Sequence, residues 1–436
     1  MASREACRPP SGTTYLCIGQ DLFSVNEYVT SQYNFSLHDE MSTADDIDVG
    51  DNTHQLSITN FVPSTFMVYT DIQSLRGLWA ATDYGSGIQY ADGLLDIFPS
   101  VSHSSKSTAA GLQIGLWLNG TEGCLSICEG ALDKQIEQLI TYLENSRASK
   151  IFLRLGYEFD NPSFGYSDHP DLYILAFRKI VTDCRKGLST TAQTRVMFVW
   201  HSWGAPMASN KLTLNSFYPG DAYVDWIGVS IFQQVLPWSP PWGGKASDVE
   251  KVLKFAALHD KPTMIAESTP FGGIELKQAS KAALENMNTT AADDPWDRWY
   301  GKVIDIIDKY DVSMWCYINC DWESQPQWHN VGFGETRLSS NKEVMIKWHE
   351  QIIGGNSNRT FLHLGALDTC GNSTNVGIKT SDEYWFTPTH FLSFILVPFI
   401  VASAAFFIPY CMLSTGRGRS TKRERRPLLA DIDEKA

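Results

Sequence analysis

Eight short apolar runs, rich in β-branched and aromatic residues, alternate with longer amphipathic segments across residues 14–350. The predicted strands are Thr14–Gly19, Thr65–Tyr69, Leu112–Leu118, Ile151–Tyr157, Arg195–His201, Trp226–Phe232, Thr263–Ala266 and Ser313–Ile318. Apolar residues recur at helical spacing in the intervening segments Gly130–Glu144, Asp171–Cys184, Ser247–Leu258 and Trp296–Tyr310. Strands that alternate with helices predict a parallel sheet covered on both faces.

The number of strand–helix units favours a closed α/β architecture. Eight units over about 335 residues fit a (β/α)8 barrel, the TIM-barrel architecture, better than an open doubly wound sheet. No Gly-x-Gly-x-x-Gly follows the first strand, which weakens the dinucleotide-binding alternative. Hydrophobic residues make up 43% of the 436 residues, which excludes a disordered chain. We expect the barrel domain to span residues 1–354.

A later segment predicts a membrane anchor. Residues 391–413 form a run of 23 residues without a charge, long enough to cross a bilayer as a tilted helix. The basic run Arg417–Arg426 follows, and the positive-inside rule places it in the cytosol. We therefore expect a single transmembrane helix at 391–413 in a lipid bilayer and a basic cytosolic tail at 414–436. Residues 355–390, with two sequons and no periodicity, are predicted to form a glycosylated stalk.

Sequons and cysteines agree with a barrel on the lumenal or extracellular side, at the plasma membrane or in endosomes or lysosomes. The Asn-x-Ser/Thr sequons, all in segments that resemble turns or loops, are at Asn34, Asn119, Asn288, Asn358 and Asn372. Eight cysteines precede the apolar segment, an even number that suits an oxidising compartment, and their pairing stays open. The first 19 residues contain no apolar signal segment. Either a signal lies upstream of this sequence, which we favour, or the C-terminal helix alone inserts the chain.

The distribution of charge along the chain and a motif in the C-terminal tail indicate which partners the protein can have. Residues 415–436 carry a net charge of +3 and the rest of the chain −17, so the body repels phosphate backbones and we expect no nucleic-acid partner. The segment Glu424–Leu429, ERRPLL, resembles an acidic dileucine sorting motif, which makes a sorting adaptor a candidate partner. A chance match within a polar tail is the alternative.

Two glutamates end predicted apolar strands. Glu158 follows the fourth strand in RLGYEFDNP, and Glu267 follows the seventh in KPTMIAES. A carboxylate in such a position is costly to desolvate, and strands 4 and 7 lie across a barrel mouth from each other. A retaining glycosidase needs two carboxyls about 5–5.5 Å apart, one acting as acid/base and one as nucleophile. The alternative is that each glutamate forms a structural ion pair, for example with Arg154.

Aromatic side chains near the predicted strand ends favour a sugar-binding groove, because their faces stack on sugar rings. The residues expected to contact substrate are Arg154, Tyr157, Trp200, His201, Trp203, Phe232, Trp315, Trp322 and Trp328. For Trp315, packing in the core is at least as good an interpretation. No metal-ligand spacing and no Gly-x-Ser-x-Gly elbow is visible, so we expect no metal and no cofactor.

Four motifs together resemble a known family. They are RLGYEFDNP (Arg154–Pro162), YVDWIGVSIF (Tyr223–Phe232), KPTMIAES (Lys261–Ser268) and WCYINCDWESQPQW (Trp315–Trp328). In this order they resemble the retaining (β/α)8 glycoside hydrolases of clan A, and most closely family 26, the β-mannanases and related β-glycanases. The resemblance covers residues 13–350. It implies Glu158 as general acid/base and Glu267 as nucleophile, with Arg154 shaping the electrostatics of the site.

Together with the predicted anchor, the resemblance leads to the hypothesis of a membrane-anchored retaining endo-β-glycosidase that hydrolyses a β-linked polysaccharide, β-mannan first, by double displacement. Two positions depart from the family pattern. Tyr157 stands where the family has His or Asn before the acid, and Phe232 replaces a tyrosine that supports the nucleophile. His201 is the candidate to replace that missing hydroxyl. These departures favour an alternative, a catalytically weak or inactive glycan-binding receptor, whereas the two retained glutamates favour the enzyme.

Overall fold

Eight parallel strands pair in chain order and close into a barrel. The computed structural model describes residues 7–43, 61–97, 109–207, 209, 211–236, 243–275, 294–355 and 357–370. The barrel strands are β1 (Thr13–Gly19), β2 (Thr65–Asp71), β3 (Gly111–Trp117), β4 (Ile151–Leu155), β5 (Val196–Ser202), β6 (Trp226–Ile231), β7 (Thr263–Ser268) and β8 (Met314–Ile318). β8 pairs with β1, where Cys316 lies opposite Cys17, and this pairing closes the barrel. The predicted (β/α)8 barrel and all eight predicted strands are confirmed.

Helices follow the strands and cover the outside of the barrel. They are α1 (Leu22–Thr43), α2 (Ala91–Ile97), α3 (Gly120–Cys128), α4 (Asp133–Asn145), α5 (Pro170–Gly187), α6 (Thr190–Gln193), α7 (Ala246–Leu258), α8 (Gly301–Tyr310) and α9 (Lys342–Trp348). The four segments with helical spacing form α4, α5, α7 and α8, and a π-helical turn, Trp296–Tyr300, precedes α8. α4 buries Ile136, Leu139 and Leu143 along one face, as its 3.6-residue period predicts.

The strands divide the core into an inner and an outer shell because successive side chains of a strand point to opposite faces. On β5, Met197 and Val199 belong to the cluster inside the barrel. The intervening Phe198 and Trp200 point outward: Phe198 lies 5.4 Å below the Arg185 guanidinium of α5, and Trp200 packs against Phe255 of α7. This alternation decides which strand residues can reach the barrel mouth.

The folded domain extends past the predicted boundary at residue 354. A short strand, β9 (Thr360–Leu362), pairs in parallel with the first residues of β1, Thr13–Tyr15, at the amino-terminal end of the barrel. The preceding Arg359 is 4% exposed and forms ion pairs with Asp308 and Asp311. Residues 357–370 are therefore part of the barrel domain and not of a stalk, because this strand and this cation are buried against it. The remaining stalk residues, 371–390, lie outside the described residues.

Other predicted features fall partly outside the described residues. Within those residues, no helix combines the length and the apolar character needed to cross a bilayer; the predicted span 391–413 and the tail lie beyond them, as do Asn288 and Asn372. Asn358 is exposed in the loop before β9. Asn34 is exposed but lies within α1, so the expectation of a turn or loop is wrong there. Asn119 precedes α3 with a φ of 61°, and its Oδ1 is buried.

One disulfide joins the two ends of the barrel domain. Cys7 is bonded to Cys370 across 363 residues of sequence. The other six cysteines that the structure describes are free thiols, so most of the expected pairing does not occur among them. A cross-link over so long a loop stabilises a fold chiefly by restricting the unfolded chain.

We expect the double substitution Cys7→Ser/Cys370→Ser to lower the free energy of unfolding by about 2–5 kcal/mol, because the unfolded chain regains its loop entropy. Urea denaturation of the folded domain at fixed pH measures this change. Cys128→Ser is the matched control, since it removes a partly exposed thiol that forms no disulfide. Equal denaturation midpoints for the double variant and the control would contradict the stabilising role.

Candidate active site

Five polar side chains meet inside the barrel near the carboxyl ends of the strands. Arg154 lies on β4, His201 on β5, Ser230 on β6 and Glu267 on β7, and Glu158 follows β4. None of the five is more than 7% exposed. The carboxyl end of the barrel is where (β/α)8 enzymes place their catalytic groups. The two predicted catalytic glutamates and two of the predicted contact residues are thus brought together.

A tight turn after β4 places the Glu158 carboxyl. Gly156 and Glu158 both adopt the left-handed backbone conformation, with φ of 57° and 51°. A non-glycine residue rarely occupies this region, and such strain is characteristic of functional sites. The Asn161 backbone N–H donates to the Glu158 carbonyl at 2.9 Å and holds the turn. The carboxyl itself accepts hydrogen bonds from Ser230 Oγ at 2.6 Å (to Oε1) and from Asn161 Nδ2 at 3.1 Å (to Oε2).

A register irregularity in β7 places the Glu267 carboxyl. Val229 on β6 lies opposite Ile265, but the next residue, Ser230, lies opposite Glu267, so Ala266 is skipped. A β-bulge of this kind redirects side chains and is frequent beside active sites. It brings Glu267 onto the inner face of the barrel, even though the preceding Ala266 also belongs to the inner cluster.

Arg154 is a buried cation that connects these groups. Its Nη1 forms an ion pair and hydrogen bond with Glu267 Oε1 and donates to His201 Nδ1 at 3.1 Å. The rings of Tyr69 and Tyr157 lie 5.1 and 5.3 Å from its guanidinium carbon, within cation–π range. A buried guanidinium is tolerated only when it is paired, since its desolvation is expensive. The ion pair therefore also fixes the position of Glu267.

The two glutamates have different electrostatic surroundings. The pKa of Glu158 is raised to about 8, first by burial and second by the negative charge of Glu267, against opposing hydrogen bonds from Ser230 and Asn161. At neutral pH Glu158 consequently retains its proton, whereas Glu267 is ion-paired with Arg154. A proton-bearing acid beside an ion-paired carboxylate is the arrangement that acid-assisted displacement requires.

Asp160 is a buried carboxyl that the sequence analysis did not select. It accepts hydrogen bonds from Ser202 Oγ and from the Trp203 backbone N–H, both at 2.6 Å. Burial raises its pKa to about 6, and these hydrogen bonds oppose the rise. Asp160 joins the loop after β5 to the turn that carries Glu158. Trp203, a predicted contact residue, is half-buried at this junction.

Aromatic rings form one wall of the mouth beyond β8. Phe333 stacks on Trp322 at 4.4 Å between ring centroids, and Trp328 and Phe232 contact its edges, each at 5.5 Å. Phe271 joins the group, at 5.2 Å from Phe333. We call these five residues the aromatic wall. Trp328 is partly exposed, whereas Trp322 is 2% exposed and stands mostly behind Phe333. The sequence analysis selected three members and missed Phe271 and Phe333.

Two predicted contact residues lie away from the site. Trp200 is fully buried between the sheet and the helices, where it stacks on Phe159 at 4.2 Å. Trp315 is also fully buried, donates to Ser268 Oγ at 2.8 Å and packs against Trp348 of α9. The prediction that these tryptophans contact substrate is wrong, because strand alternation directs both toward the helices.

The two departures from the family pattern have structural consequences. Tyr157 is half-buried, and its ring contacts Tyr69 and Phe164 edge-on. Phe232 has no hydroxyl, and its ring belongs to the aromatic wall. The suggestion that His201 replaces the missing hydroxyl is wrong: its ring nitrogens contact Arg154 and Ser230. The hydrogen bond to Glu267 comes from Arg154 instead.

The sequence analysis missed three residues that surround the two charged groups. Tyr69 contacts Arg154 and Ser230 contacts Glu158, as described above, and Gly115 on β3 leaves room for the Tyr69 ring and the guanidinium. A Cβ at Gly115 would lie 2.6 Å from the Tyr69 ring and 2.8 Å from Arg154 Nη2. Within the described ranges, no three His, Cys, Asp or Glu side chains converge to hold a metal ion.

No protein-family model matches the chain. A protein named β-1,3-xylanase from an Alcaligenes species is 26% identical over 353 residues, which cover 79% of this chain and 64% of the relative. A second β-1,3-xylanase, from a Vibrio species, is 26% identical over 355 residues, covering 79% and 65%. The chain thus matches slightly less than two thirds of the length of these relatives.

Solved mannanase structures also align with the chain. A mannanase from Bacillus subtilis covers 86% of this chain and 94% of its own length, with 12% identity and a TM-score of 0.45. A modular family 26 endo-β-1,4-mannanase from Cellulomonas fimi covers 79% and 73%, with 14% identity and a TM-score of 0.45. Because both scores lie below 0.5, the barrel assignment rests on the strand pairing of this chain. The names of the two relatives agree with the resemblance to a glycoside hydrolase that the motifs indicate.

We expect Glu267→Gln to lower the pKa of Glu158, because the substitution removes a nearby negative charge while leaving the Arg154 cation in place. A pH titration of the ¹³C-labelled glutamate carboxyls by NMR measures the pKa and requires no activity. Glu27→Gln serves as the control, since Glu27 is hydrogen-bonded to Asn319 and Ser339 outside the site. An unchanged Glu158 pKa in Glu267→Gln would show that the two carboxyls are not coupled.

Proposed function

We propose that the barrel domain is a glycoside hydrolase that cleaves β-linked polysaccharide by a retaining, double-displacement mechanism. The observation that carries this proposal is two buried glutamates in different surroundings: Glu267 is ion-paired with Arg154, whereas Glu158 is hydrogen-bonded to Ser230 and Asn161 and burial raises its pKa to about 8. Both carboxyls lie at the carboxyl end of the barrel, and the β-1,3-xylanase names of the relatives support the reaction class.

In the first step, Glu158 donates its proton to the glycosidic oxygen as the bond from that oxygen to the anomeric carbon breaks. Glu267 attacks the same carbon from the opposite face and forms a glycosyl ester. Its Oε1 is held by Arg154, which leaves Oε2 to form the new bond. In the second step, Glu158, now ionised, takes a proton from water, the water oxygen bonds to the anomeric carbon, and Glu267 departs as a carboxylate.

The names of the curated relatives favour β-1,3-xylan as the first substrate to test, ahead of the β-mannan that the sequence resemblance implied. The aromatic wall supports a polysaccharide substrate of either kind, because ring faces stack on sugars. The type of linkage that is cleaved, the identity of the sugar, and cleavage within the polysaccharide chain rather than at its ends are all parts of this proposal.

The receptor alternative rests on Phe232, which offers no hydroxyl to the nucleophile. Arg154 supplies a charge-assisted hydrogen bond to Glu267 in its place, and such a bond is stronger than one from a neutral hydroxyl. The reason to expect weak catalysis is therefore reduced. Binding of a glycan without hydrolysis by the folded wild-type protein remains the result that would favour the receptor.

We expect the secreted domain, residues 1–388, to hydrolyse at least one polysaccharide from a panel of β-1,3-xylan, β-1,4-xylan, mannan, galactomannan, mixed-linkage glucan and laminarin. Glu158→Ala and Glu267→Ala should each lower kcat by roughly 10²–10⁴-fold or more, because each removes a group that acts in the transition state. Azide should restore turnover of an activated aryl glycoside in both variants.

The products of that rescue distinguish the two roles. Glu267→Ala should yield the α-glycosyl azide by a single inversion, and Glu158→Ala the β-glycosyl azide by two inversions. ¹H NMR of the products reads the anomeric configuration. Ser268→Ala is the matched control on the neighbouring strand position, whose side chain faces the helices. Identical azide products from the two glutamate variants would contradict the assignment.

We also propose that residues 391–413 anchor the protein as a single-pass membrane protein with the barrel lumenal or extracellular. Support comes from the uncharged run, the basic segment after it and the exposed sequon at Asn358. The sorting adaptor at Glu424–Leu429 and the choice between plasma membrane and endosome or lysosome belong to the same proposal.

We expect the full chain, expressed behind a secretory signal, to remain in carbonate-washed membranes and the 1–388 truncation to be released into the medium. Protease added outside the cell should degrade the barrel domain and leave intact a tag placed after residue 436, because the proposed tail is cytosolic. Asn358→Gln should remove one glycan from the secreted domain, as measured by mass. Release of the full chain into the medium would contradict the anchor.

A further inference from the structure

A row of four polar side chains crosses the barrel interior from Arg154 to Glu158. Arg154 Nη1 lies 3.1 Å from His201 Nδ1, His201 Nε2 lies 3.0 Å from Ser230 Oγ, and Ser230 Oγ lies 2.6 Å from Glu158 Oε1. Arg154, His201 and Ser230 are fully buried, and Glu158 is 6% exposed. The same Arg154 nitrogen also holds Glu267.

The position of each proton in this row follows from elementary chemistry. A guanidinium only donates hydrogen bonds, so His201 Nδ1 must accept and carries no proton. The imidazole is then neutral, and its one proton lies on Nε2, which donates to Ser230 Oγ. The Ser230 hydroxyl retains one proton, and the partner left for it is Glu158 Oε1. Burial and the Arg154 charge lower the pKa of His201 well below its usual value, which agrees with a neutral ring.

We propose that His201 and Ser230 are positioning residues that keep Oε1 of Glu158 an acceptor and thereby place its transferable proton on Oε2. The inference rests on the proposed function of Glu158 as the acid. Asn161 Nδ2 also donates to Oε2, at 3.1 Å, and a protonated carboxyl oxygen retains a lone pair for that contact. The row therefore determines that Oε2 of Glu158 delivers the proton. Arg154 sets the direction in which the hydrogen bonds of the row donate, because it can only donate.

This role differs from simple packing of the barrel. A packing residue would affect every substrate equally, whereas an acid held in the wrong orientation penalises only leaving groups that need protonation. Ser230 is suited to a discriminating test because it sits opposite Glu267 in the strand register and contacts both His201 and Glu158. Threonine retains its hydroxyl, and valine has the shape of threonine without the hydroxyl.

The first experiment compares Ser230→Ala, Ser230→Thr and Ser230→Val on the polysaccharide that the wild type cleaves and on the 2,4-dinitrophenyl glycoside of the same sugar. We expect kcat/KM for the polysaccharide to fall about 10–100-fold in the Ala and Val variants and to be retained in the Thr variant. The dinitrophenyl glycoside needs no protonation, so its kcat/KM should change by less than about 3-fold. Ser268→Ala, a buried serine that faces the helices, should change neither substrate.

The pH profile gives a second readout. Ser230 donates to Glu158 and favours its ionised form, so its loss should raise the pKa of Glu158 and shift the basic limb of kcat/KM upward. Glu267, Asp160 and Tyr157 also act on this carboxyl and stay unchanged in the variants. Equal losses on both substrates with an unshifted limb would overturn the positioning role.

Two NMR measurements separate failure of this inference from failure of the proposed function, because neither needs turnover. The ¹⁵N shifts of His201 should show a neutral ring protonated on Nε2, and a proton on Nδ1 would overturn the inference. The Glu158 pKa should rise in Ser230→Ala relative to the wild type and to Ser230→Thr. A wild type that shows both signatures but hydrolyses nothing would contradict the proposed function and leave the arrangement of protons standing.

Discussion

A buried guanidinium must find partners for its charge and its donors, and this requirement organises the interior of the barrel mouth. Arg154 is fully buried and ion-paired with Glu267, and it shares the same nitrogen with His201. Removing either charge would leave the other desolvated and unpaired, which costs more than the pair itself contributes. Gly115 lacks a Cβ where the guanidinium and the Tyr69 ring approach β3. The position of Glu267, the tautomer of His201 and the absence of a side chain at Gly115 thus all follow from the one buried cation, Arg154.

The parts that sequence could predict are those carried by periodicity and by position along a strand. The apolar runs predict eight strands, and a carboxylate at the end of a run marks Glu158 and Glu267 without knowledge of the fold in detail. The prediction of substrate contact is wrong for Trp200 and Trp315 because aromatic composition does not indicate which face of a strand a residue occupies, and the two-residue alternation directs both side chains outward. Phe333 and Ser230 carry no signal of their own, since phenylalanine and serine occur everywhere and only the closed barrel brings them to the site.

Backbone irregularities account for the rest of what sequence could not show. The skipped Ala266 in β7 and the left-handed Glu158 after β4 are the two features that aim the carboxyls. Neither is encoded by a glycine or proline at the critical residue, so no local rule identifies it. Tertiary pairing contributes to both, through the register of β7 with β6 and through the hydrogen bond from the Phe159 backbone N–H to the His201 carbonyl of β5.

The two ends of the barrel make opposite contributions to the stability of the domain. At the mouth, a raised Glu158 pKa means that the folded state binds its proton more tightly than the unfolded chain, so stability falls as pH rises from the unfolded value near 4.5 through about 8. At the far end, β9, Arg359 and the Cys7–Cys370 disulfide fasten the chain termini of the domain to β1. The contacts at the far end involve none of the groups at the mouth. The free energy that they contribute offsets the cost of keeping Glu158 buried and protonated there. The C-terminal segment folds onto the barrel because β9 pairs with β1 and the buried Arg359 is ion-paired with Asp308 and Asp311, and none of these contacts involves the groups around Glu158.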